Sequence, residues 1–334
     1  MMRLFLLFIL LSACAPVQFP DSQPSAAPTI MDPTFVATAV LTQTVPTQAN
    51  TPPPEEPEVA GPTLTQDTPV SLPSSLPATS QPTLGPQDWQ ALPVIPPVSD
   101  HVIEIYLNGL AAGNNPQAFS KIGDCESTPT WFLGDFDLDS QHYRLGPYQS
   151  LESVIANFHG SFGRTSLAAR RGFKASSALT PLWADRTQCE KNETPLACEY
   201  RLHRPILAFI MLGTNDVYHQ DTFDSQMRQI IEYTIGQGII PVLATKADNL
   251  EGDGSINATI AQLAWEYNIP LWNFWLAVQS LPGQGLQPDG SHLTWAQNLF
   301  DVPQVLENAW PVRNLTALQV LDAIWQVVKD LSIP

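Results

Sequence analysis

The feature that most constrains the fold is an apolar run, Pro-Ile-Leu-Ala-Phe-Ile-Met-Leu, at residues 205–212. It begins at a proline and is followed by Gly213. A strand with one solvated face alternates apolar and polar residues, whereas a strand covered on both faces is apolar throughout. The run therefore predicts a central strand of a parallel sheet that is covered on both sides by helices.

Strand and helix patterns alternate on either side of this run. Strands are predicted at 118–122, 166–169, 239–245 and 271–274, and helices at 102–112, 151–158, 175–183, 222–237, 256–267 and 315–331. Such alternation is typical of a parallel sheet with helical crossovers. We predict an α/β domain, flavodoxin-like, with three α/β/α layers and a five-stranded parallel sheet. Sites in these folds form at the carboxyl ends of the strands.

The N-terminus has the pattern of an exported, lipid-anchored protein. Arg3 precedes an apolar run from Leu4 to Leu11, and Leu-Ser-Ala-Cys follows at 11–14. Eight apolar residues are too few to cross about 30 Å of hydrocarbon. We predict a lipoprotein signal peptide at 1–13, lipid attachment at Cys14, and an extracytoplasmic location on a bacterial membrane.

Residues 14–97 have the composition of a disordered linker. Of the 32 prolines in the chain, 19 lie here, and no Lys or Arg occurs between Leu4 and Ser120. This segment cannot bury enough apolar surface to offset its ordering entropy. We therefore predict a tether at 14–97 and one folded domain at 98–334.

The charge of the chain bears on its partners. The net charge is −17, and without the seven acids and Arg3 of the first 97 residues it is −11, from 25 acidic and 14 basic side chains. An acidic domain does not favour nucleic acid or adsorption to anionic lipid. We predict no nucleic-acid partner, contact with the membrane through the lipid only, and a monomer.

Two of the four cysteines bracket a short polar loop. Cys189 and Cys198 flank Glu-Lys-Asn-Glu-Thr-Pro-Leu-Ala, and no second ligand pair for a zinc site lies nearby. Outside the reducing cytoplasm such a pair is expected to form a disulfide. Cys125 falls in a different setting, a motif that follows the first predicted strand.

Three short strings follow or flank predicted strands: Lys-Ile-Gly-Asp-Cys at 121–125, Leu-Gly-Thr-Asn-Asp at 212–216 and Asp-Gly-Ser-His at 289–292. Cys125 is expected at a helix start, where backbone amides favour a thiolate, although a buried structural cysteine fits the string alone. Asn215 follows the buried strand, where it can donate to an oxyanion or merely form an Asx turn. Asp289 is spaced to hold the His292 ring so that its other nitrogen acts as a base.

In order and spacing, the three strings resemble the blocks of the SGNH hydrolases, the GDSL-type esterases and lipases, over residues 119–294. The resemblance implies the following site: Cys125 as nucleophile where the family has serine, His292 as base, Asp289 as its partner, the N–H of Cys125, the N–H of Ala175 or Gly172 and the Asn215 amide as oxyanion hole, and Asp124 and Asp216 in support. The second block, at 170–177, leaves Ala175 and Gly172 as alternatives. No cofactor is implied.

Two functions follow from the substitution of sulfur for oxygen. The first is a hydrolase of carboxylic esters, with a small-molecule or polysaccharide substrate such as a sugar O-acyl group, that acts through a covalent thioester. The second is a catalytically silent protein that keeps the fold and binds a glycan or a cell-wall component. The His292, Asp289 and Asn215 side chains favour the first, because a pure binder does not need them.

Two further patterns in the sequence bear on ligands. Asp135, Asp137 and Asp139 imitate the start of a calcium loop but lack its glycine at the sixth position and its glutamate at the twelfth, so no metal site is predicted. Four tryptophans lie near the motifs, where they either stack on sugar rings or belong to the core: Trp131, Trp272, Trp275 and Trp295.

Overall fold

A computed structural model describes residues 84–332. The predicted signal peptide, the lipid attachment at Cys14 and most of the predicted linker lie outside the described residues. Within 84–332, no helix combines the length and apolar character that a membrane crossing requires.

The described part of the chain contains two parallel sheets. The strands are β1 (Asn115–Gly123), β2 (Tyr143–Arg144), β3 (Pro205–Met211), β4 (Ile240–Ala244), β5 (Leu271–Trp272) and β6 (Asn298–Leu299). The larger sheet has the order β1-β3-β4-β5, and β2 pairs with β6 in the smaller one. In the larger sheet Ile122 lies opposite Ile210. The predicted parallel sheet is therefore present.

Helices cover this sheet. They are α1 (Asp100–Ala111), α2 (Glu152–Asn157), α3 (Ala175–Ala178), α4 (Pro195–His203), α5 (Gln220–Gly236), α6 (Ser255–Glu266), α7 (Phe274–Val278) and α8 (Ala309–Val328). Every residue of β3 and β4 is buried, which requires helices on both faces of the sheet. Helix α1 contacts α8, α5 contacts α6, and β4 contacts α1, α5 and α6. The α/β class with a parallel sheet is confirmed.

The predicted strand at 166–169 contributes one bridge, between Ala169 and Gly123 at the outer edge of β1. Its amides are taken by side chains: Leu167 N donates to Glu199 Oε2 at 2.8 Å, and Ala168 N donates to Ser166 Oγ at 3.1 Å. A strand cannot extend where its backbone donors bond elsewhere. The position is nevertheless that of the fifth strand.

The folded region begins before residue 98, so the predicted boundary is placed too late. A short 3-10 helix, Pro86–Ala91, buries Trp89 against Trp275, with 4.9 Å between ring centroids. Asn273 Nδ2 donates to the carbonyls of Trp89 and Leu92, both at 2.8 Å. These contacts give the end of the Pro-rich segment the apolar burial that its composition does not suggest.

The disulfide between Cys189 and Cys198 is confirmed, with 5.3 Å between the Cα atoms. It encloses the start of α4, a helix that sequence patterns did not predict. Thr194 caps this helix by accepting from Ala197 N at 3.1 Å, and Pro195 occupies its first turn. Both are ordinary signals for a helix start.

Candidate active site

The first motif turns the chain sharply at the end of β1. A Cβ on Gly123 would lie 2.6 Å from the Met211 carbonyl oxygen of the neighbouring strand, so only glycine fits there. The chain then forms a 3-10 helix, Cys125–Ser127, whose first free amide is capped: Asp124 Oδ1 accepts from Glu126 N at 3.0 Å. This turn holds Cys125 at the carboxyl end of the sheet.

Cys125 is half-buried, and its carbonyl accepts from Thr128 Oγ1 at 2.7 Å. Its sulfur is disulfide-bonded in this structure. A disulfide sulfur has no proton to lose and is not a thiolate nucleophile. Thiol chemistry at this position therefore requires the reduced form.

The motif at 212–216 packs directly beside the first. Gly213 has φ +131°, and a Cβ there would lie 2.8 Å from Ile256. The resulting turn starts a 3-10 helix, Thr214–Asp216, from which Asn215 points back to β1. Asn215 Nδ2 donates to Asp124 Oδ2 at 3.3 Å and to the Phe173 carbonyl at 3.1 Å. The predicted blocks thus meet through hydrogen bonds.

The second block is tied to the same turn. Ala175 N donates to the buried Asp216 carboxylate at 3.1 Å. Asn215 has two amide protons, and both are engaged, while the one backbone proton of Ala175 goes to Asp216. The roles of Asn215 and Ala175 as oxyanion donors remain predictions. The alternative, Gly172, has φ +75° and open space where a Cβ would project.

The motif at 289–292 supplies the Asp289–His292 pair. His292 Nδ1 lies 2.5 Å from Asp289 Oδ2, and His292 N donates to Asp289 Oδ1 at 3.0 Å. Burial acts to raise the pKa of Asp289, but the hydrogen bonds from His292 and Ser291 outweigh it and hold the pKa below its usual value. This contact fixes the proton on Nδ1 and leaves Nε2 available as a base.

The two ends of the predicted site converge on one cavity. Ser291 and Leu293, on either side of His292, line a space of about 30 Å³ together with Asp124 and Glu126, on either side of Cys125. Such a space holds a water molecule, not a substrate. Residues 124–126 and 291–293, more than 160 positions apart in the sequence, therefore share one wall of the sheet's carboxyl edge.

The same cavity is lined by buried charges that sequence patterns did not identify. Lys246 Nζ bonds Asp248 Oδ1 at 2.7 Å and Glu251 Oε2 at 2.5 Å, and its side chain is almost fully buried. Thr214 Oγ1 donates to the other oxygen of Asp248 at 2.7 Å, which joins this cluster to the motif at 212–216. Lys246 and Asp248 therefore belong to the wall of the candidate site, although the sequence patterns assigned them no role.

Arg313, from α8, is the second buried cation at this cavity. Its Nη1 donates to the Glu126 carbonyl at 2.6 Å, and its guanidinium lies 4.7 Å from the centroid of Phe132. Aromatic faces stabilise a cation that has lost part of its water. Nothing in the local sequence of α8 indicates this role, because Arg313 stands alone in an apolar helix.

Burial changes the acidity of the two carboxyl groups that flank Cys125. It raises the pKa of Asp124 to about 6, against the opposing effect of Arg313. It raises the pKa of Glu126 to about 8, again opposed by Arg313. Glu126 Oε1 is buried with no hydrogen-bond partner in the described part of the chain. Burial therefore favours the neutral form of Glu126 beside the candidate nucleophile.

The three aspartates of the calcium-like string serve the loops. Asp137 accepts from the backbone N–H groups of Gly160 and Gly163, at 2.7 and 2.6 Å. Asp135 accepts from Asn298 at 2.8 Å, and Asp139 accepts from Gln141 N at 3.0 Å. Each of the three acids thus has a hydrogen-bond donor within the protein.

The tryptophans near the motifs divide into core and surface. Trp272 is fully buried, and Trp275 packs edge-on against Trp89. Trp131 is half-buried, and Trp295 is 54% exposed. Trp275 is half-buried as well, whereas Trp131 and Trp295 line one cavity together.

No family model matches the sequence, and no curated protein does. Many solved structures that match are GDSL-type lipases, acylhydrolases and esterases. A GDSL-like lipase from Bacteroides thetaiotaomicron is 16% identical, with a TM-score of 0.40, and the match covers 65% of this chain and 98% of that one. A psychrotrophic esterase from Pseudoalteromonas is 14% identical (TM-score 0.39; coverage 64% and 100%). A catalytic mutant of an acetylxylan esterase from Geobacillus stearothermophilus is 13% identical (TM-score 0.38; coverage 62% and 95%).

Proposed function

We propose that this chain is a lipid-anchored, extracytoplasmic hydrolase of carboxylic esters, of the SGNH type, that works in its reduced form. The observation that carries the proposal is the Asp289–His292 contact of 2.5 Å on a loop that shares a cavity with the Cys125 turn. A second His–Asp contact, His142 Nδ1 to Asp139 Oδ1 at 3.0 Å, does not line this cavity, so the shared cavity and not the contact alone supports the proposal. The His292 side chain is 26% exposed.

In the proposed reaction, His292 Nε2 takes the proton of the Cys125 thiol, and the thiolate attacks the ester carbonyl carbon. The tetrahedral oxyanion collapses to a thioester, and the alkoxide leaves with the proton from His292. Water, deprotonated by His292, then hydrolyses the thioester and restores the thiol. Asp289 keeps its carboxylate throughout and stabilises the imidazolium.

The oxyanion requires a donor, and the Asn215 amide is the best candidate. Its bond to Asp124 is the longer of its two, 3.3 Å against 3.1 Å to the Phe173 carbonyl. Release of that longer bond would turn one N–H toward the developing charge. The loss of one such donor costs about 10²–10³ in kcat in a serine hydrolase.

The experiment is hydrolysis of a chromogenic acetyl ester by the full chain, with and without a phosphine reductant. We expect activity to rise on reduction, and to fall about 10²–10⁴-fold in His292→Ala because a general base is lost. Cys125→Ala should lose the reductant-dependent part. His159→Ala, an exposed histidine outside the site, is the matched control and should behave as wild type.

A second function is favoured by the disulfide at Cys125 and by the engaged protons of Ala175 and Asn215. In it the chain keeps the fold and binds a glycan or a wall component without catalysis. Equal background rates for the reduced wild type and His292→Ala would select this function and end the hydrolase proposal for acetyl esters.

A further inference from the structure

A second cavity lies beside the candidate active site and is much larger. It has a volume of about 210 Å³, against about 30 Å³ for the first. Its walls come from residues 129–135, which follow the Cys125 turn, and residues 295–298, which follow His292. Helix α8 runs between the two spaces, since Arg313 lines the first and Asn314 lines the second. Consecutive residues of α8 thus contribute to the walls of both cavities.

Aromatic rings form one side of this second cavity. Trp131 stacks on Trp310, with 5.3 Å between centroids and 25° between ring planes. Trp310 is itself held by its backbone N–H, which donates to the Thr294 carbonyl at 3.0 Å. Trp295 lines the same space and remains 54% exposed. The result is a flat, rigid apolar wall with a free ring at its mouth.

Polar groups that line the same cavity are fixed by their own hydrogen bonds. Asn298 Nδ2 donates to Asp135 Oδ2 at 2.8 Å, and Asn314 Nδ2 donates to Asn298 Oδ1 at 3.1 Å. Asn314 Oδ1 in turn accepts from Leu133 N at 3.0 Å. A carboxylate has about four lone-pair sites, and Asn298 uses one of those on Asp135. The remaining sites are held in place to accept hydroxyl protons.

The charge of the lining selects the kind of ligand. Among the described residues around this space, Asp135 is the acid, His142 is the imidazole, and there is no Lys or Arg. An anionic ligand would meet a carboxylate without a permanent cation to pair with. A cavity that combines aromatic rings with fixed hydrogen-bond acceptors and amides instead suits a ring with an apolar face and several hydroxyls.

We propose that the second cavity binds a neutral pyranose ring of a polysaccharide, stacked on Trp295 and Trp131, with its hydroxyls donating to Asp135. The sugar is then the alcohol half of the ester that meets Cys125 and His292. This last step rests on the proposed hydrolase function, whereas binding of the ring does not.

The test is binding of unesterified sugars to the full chain, followed by tryptophan fluorescence and calorimetry. The probes are xylohexaose and fully N-acetylated chitohexaose as neutral chains, and hexagalacturonate as an anionic one. We expect at least one neutral probe to bind and hexagalacturonate to bind at least tenfold more weakly. Failure of both neutral probes, or equal binding of the anionic probe, would overturn the proposal.

Trp295→Ala should weaken the neutral probe at least tenfold, and Trp295→Phe should restore part of the affinity because a ring returns. Trp265→Ala is the matched control: Trp265 is 52% exposed, lies on α6, and lines a different surface. Equal affinities for Trp295→Ala and Trp265→Ala would refute the assignment. Because no ester is involved, an inactive chain that binds the probe rejects the hydrolase and keeps the sugar site.

Discussion

Glu199 offers the sharpest test of how the site is held together. Its carboxylate is fully buried and bonds Arg164 Nη2 at 2.6 Å, Ser120 Oγ at 2.5 Å and Leu167 N at 2.8 Å. It thus joins α4 to β1 and to the segment that bridges to Gly123. We expect Glu199→Gln to lower the free energy of unfolding and to loosen the second block.

The size of the effect follows from burial. Removal of one partner from a buried ion pair costs about 3–5 kcal/mol, because the other charge is left without compensation. Arg164 is 20% exposed and can recover some hydration, so the lower end, about 3 kcal/mol, applies here. For a domain of this size the expected fall in Tm is roughly 6–12 °C.

Urea unfolding monitored by tryptophan fluorescence measures the loss in the free energy of unfolding of Glu199→Gln. The matched control is Asp224→Asn, which breaks a pair of similar length, 2.8 Å to Arg228, whose acid is 48% exposed. That change should cost less than about 1 kcal/mol. A double variant, Glu199→Leu with Arg164→Met, should recover much of the loss, because no buried charge is then left alone.

The pH dependence gives a second reading of the same group. Burial acts to raise the pKa of Glu199, but Arg164 outweighs it and holds the pKa below its usual value. The unfolded chain therefore binds this proton first, so the contribution is present above about pH 4.3 and is lost as pH falls through the folded pKa. In Glu199→Gln, the free energy of unfolding should therefore change less with pH below about pH 4.3. A variant within about 0.5 kcal/mol of wild type, or no more destabilised than Asp224→Asn, would refute the reasoning.

Three further changes are predicted to alter stability. Glu126→Gln should stabilise the protein between about pH 5 and 8. The raised pKa of Glu126 makes the folded wild type lose stability as the pH rises through that range, and glutamine has no such proton to lose. Thermal melts should show the stabilisation vanish near pH 4. Burial first, and then Arg164, lower the pKa of Lys121 to about 7. The free energy of unfolding of the wild type should therefore rise relative to that of Lys121→Met as the pH increases from 7 to 10. A difference between the two that does not change with pH would contradict this. Replacement of Cys189 and Cys198 by alanine opens a loop with a sequence separation of 9 and should lower the free energy of unfolding by about 2.5–3 kcal/mol, as measured by urea unfolding. An unchanged free energy of unfolding would contradict this estimate.

The sequence predicted those parts of the fold that depend on local hydrophobic pattern. The run at 205–212 became β3, and the helical spacing after it became α5, because burial on one or both faces is written directly into the order of side chains. The segment 166–169 behaved differently. Its amides bond Ser166 and Glu199, and the latter lies 32 residues away from Leu167, beyond any local pattern.

The candidate site divides in the same way. The Asp289–His292 pair was predictable, because its two residues are three positions apart. The engagement of Asn215 by Asp124, at 91 positions' distance, was not. Neither was Arg313, whose burial beside Glu126 joins residues 187 positions apart.

The order of the chain by itself determined a parallel α/β sheet, motifs at its carboxyl edge and a histidine held by an aspartate. The tertiary structure was needed to show that the Asn215 and Ala175 amides already bond acceptors in the protein, that two cations are buried beside the Cys125 turn, and that Trp131 and Trp295 line one cavity. The physical reason is that hydrogen bonds and charges depend on contacts between distant segments, whereas hydrophobic periodicity is a property of each segment alone.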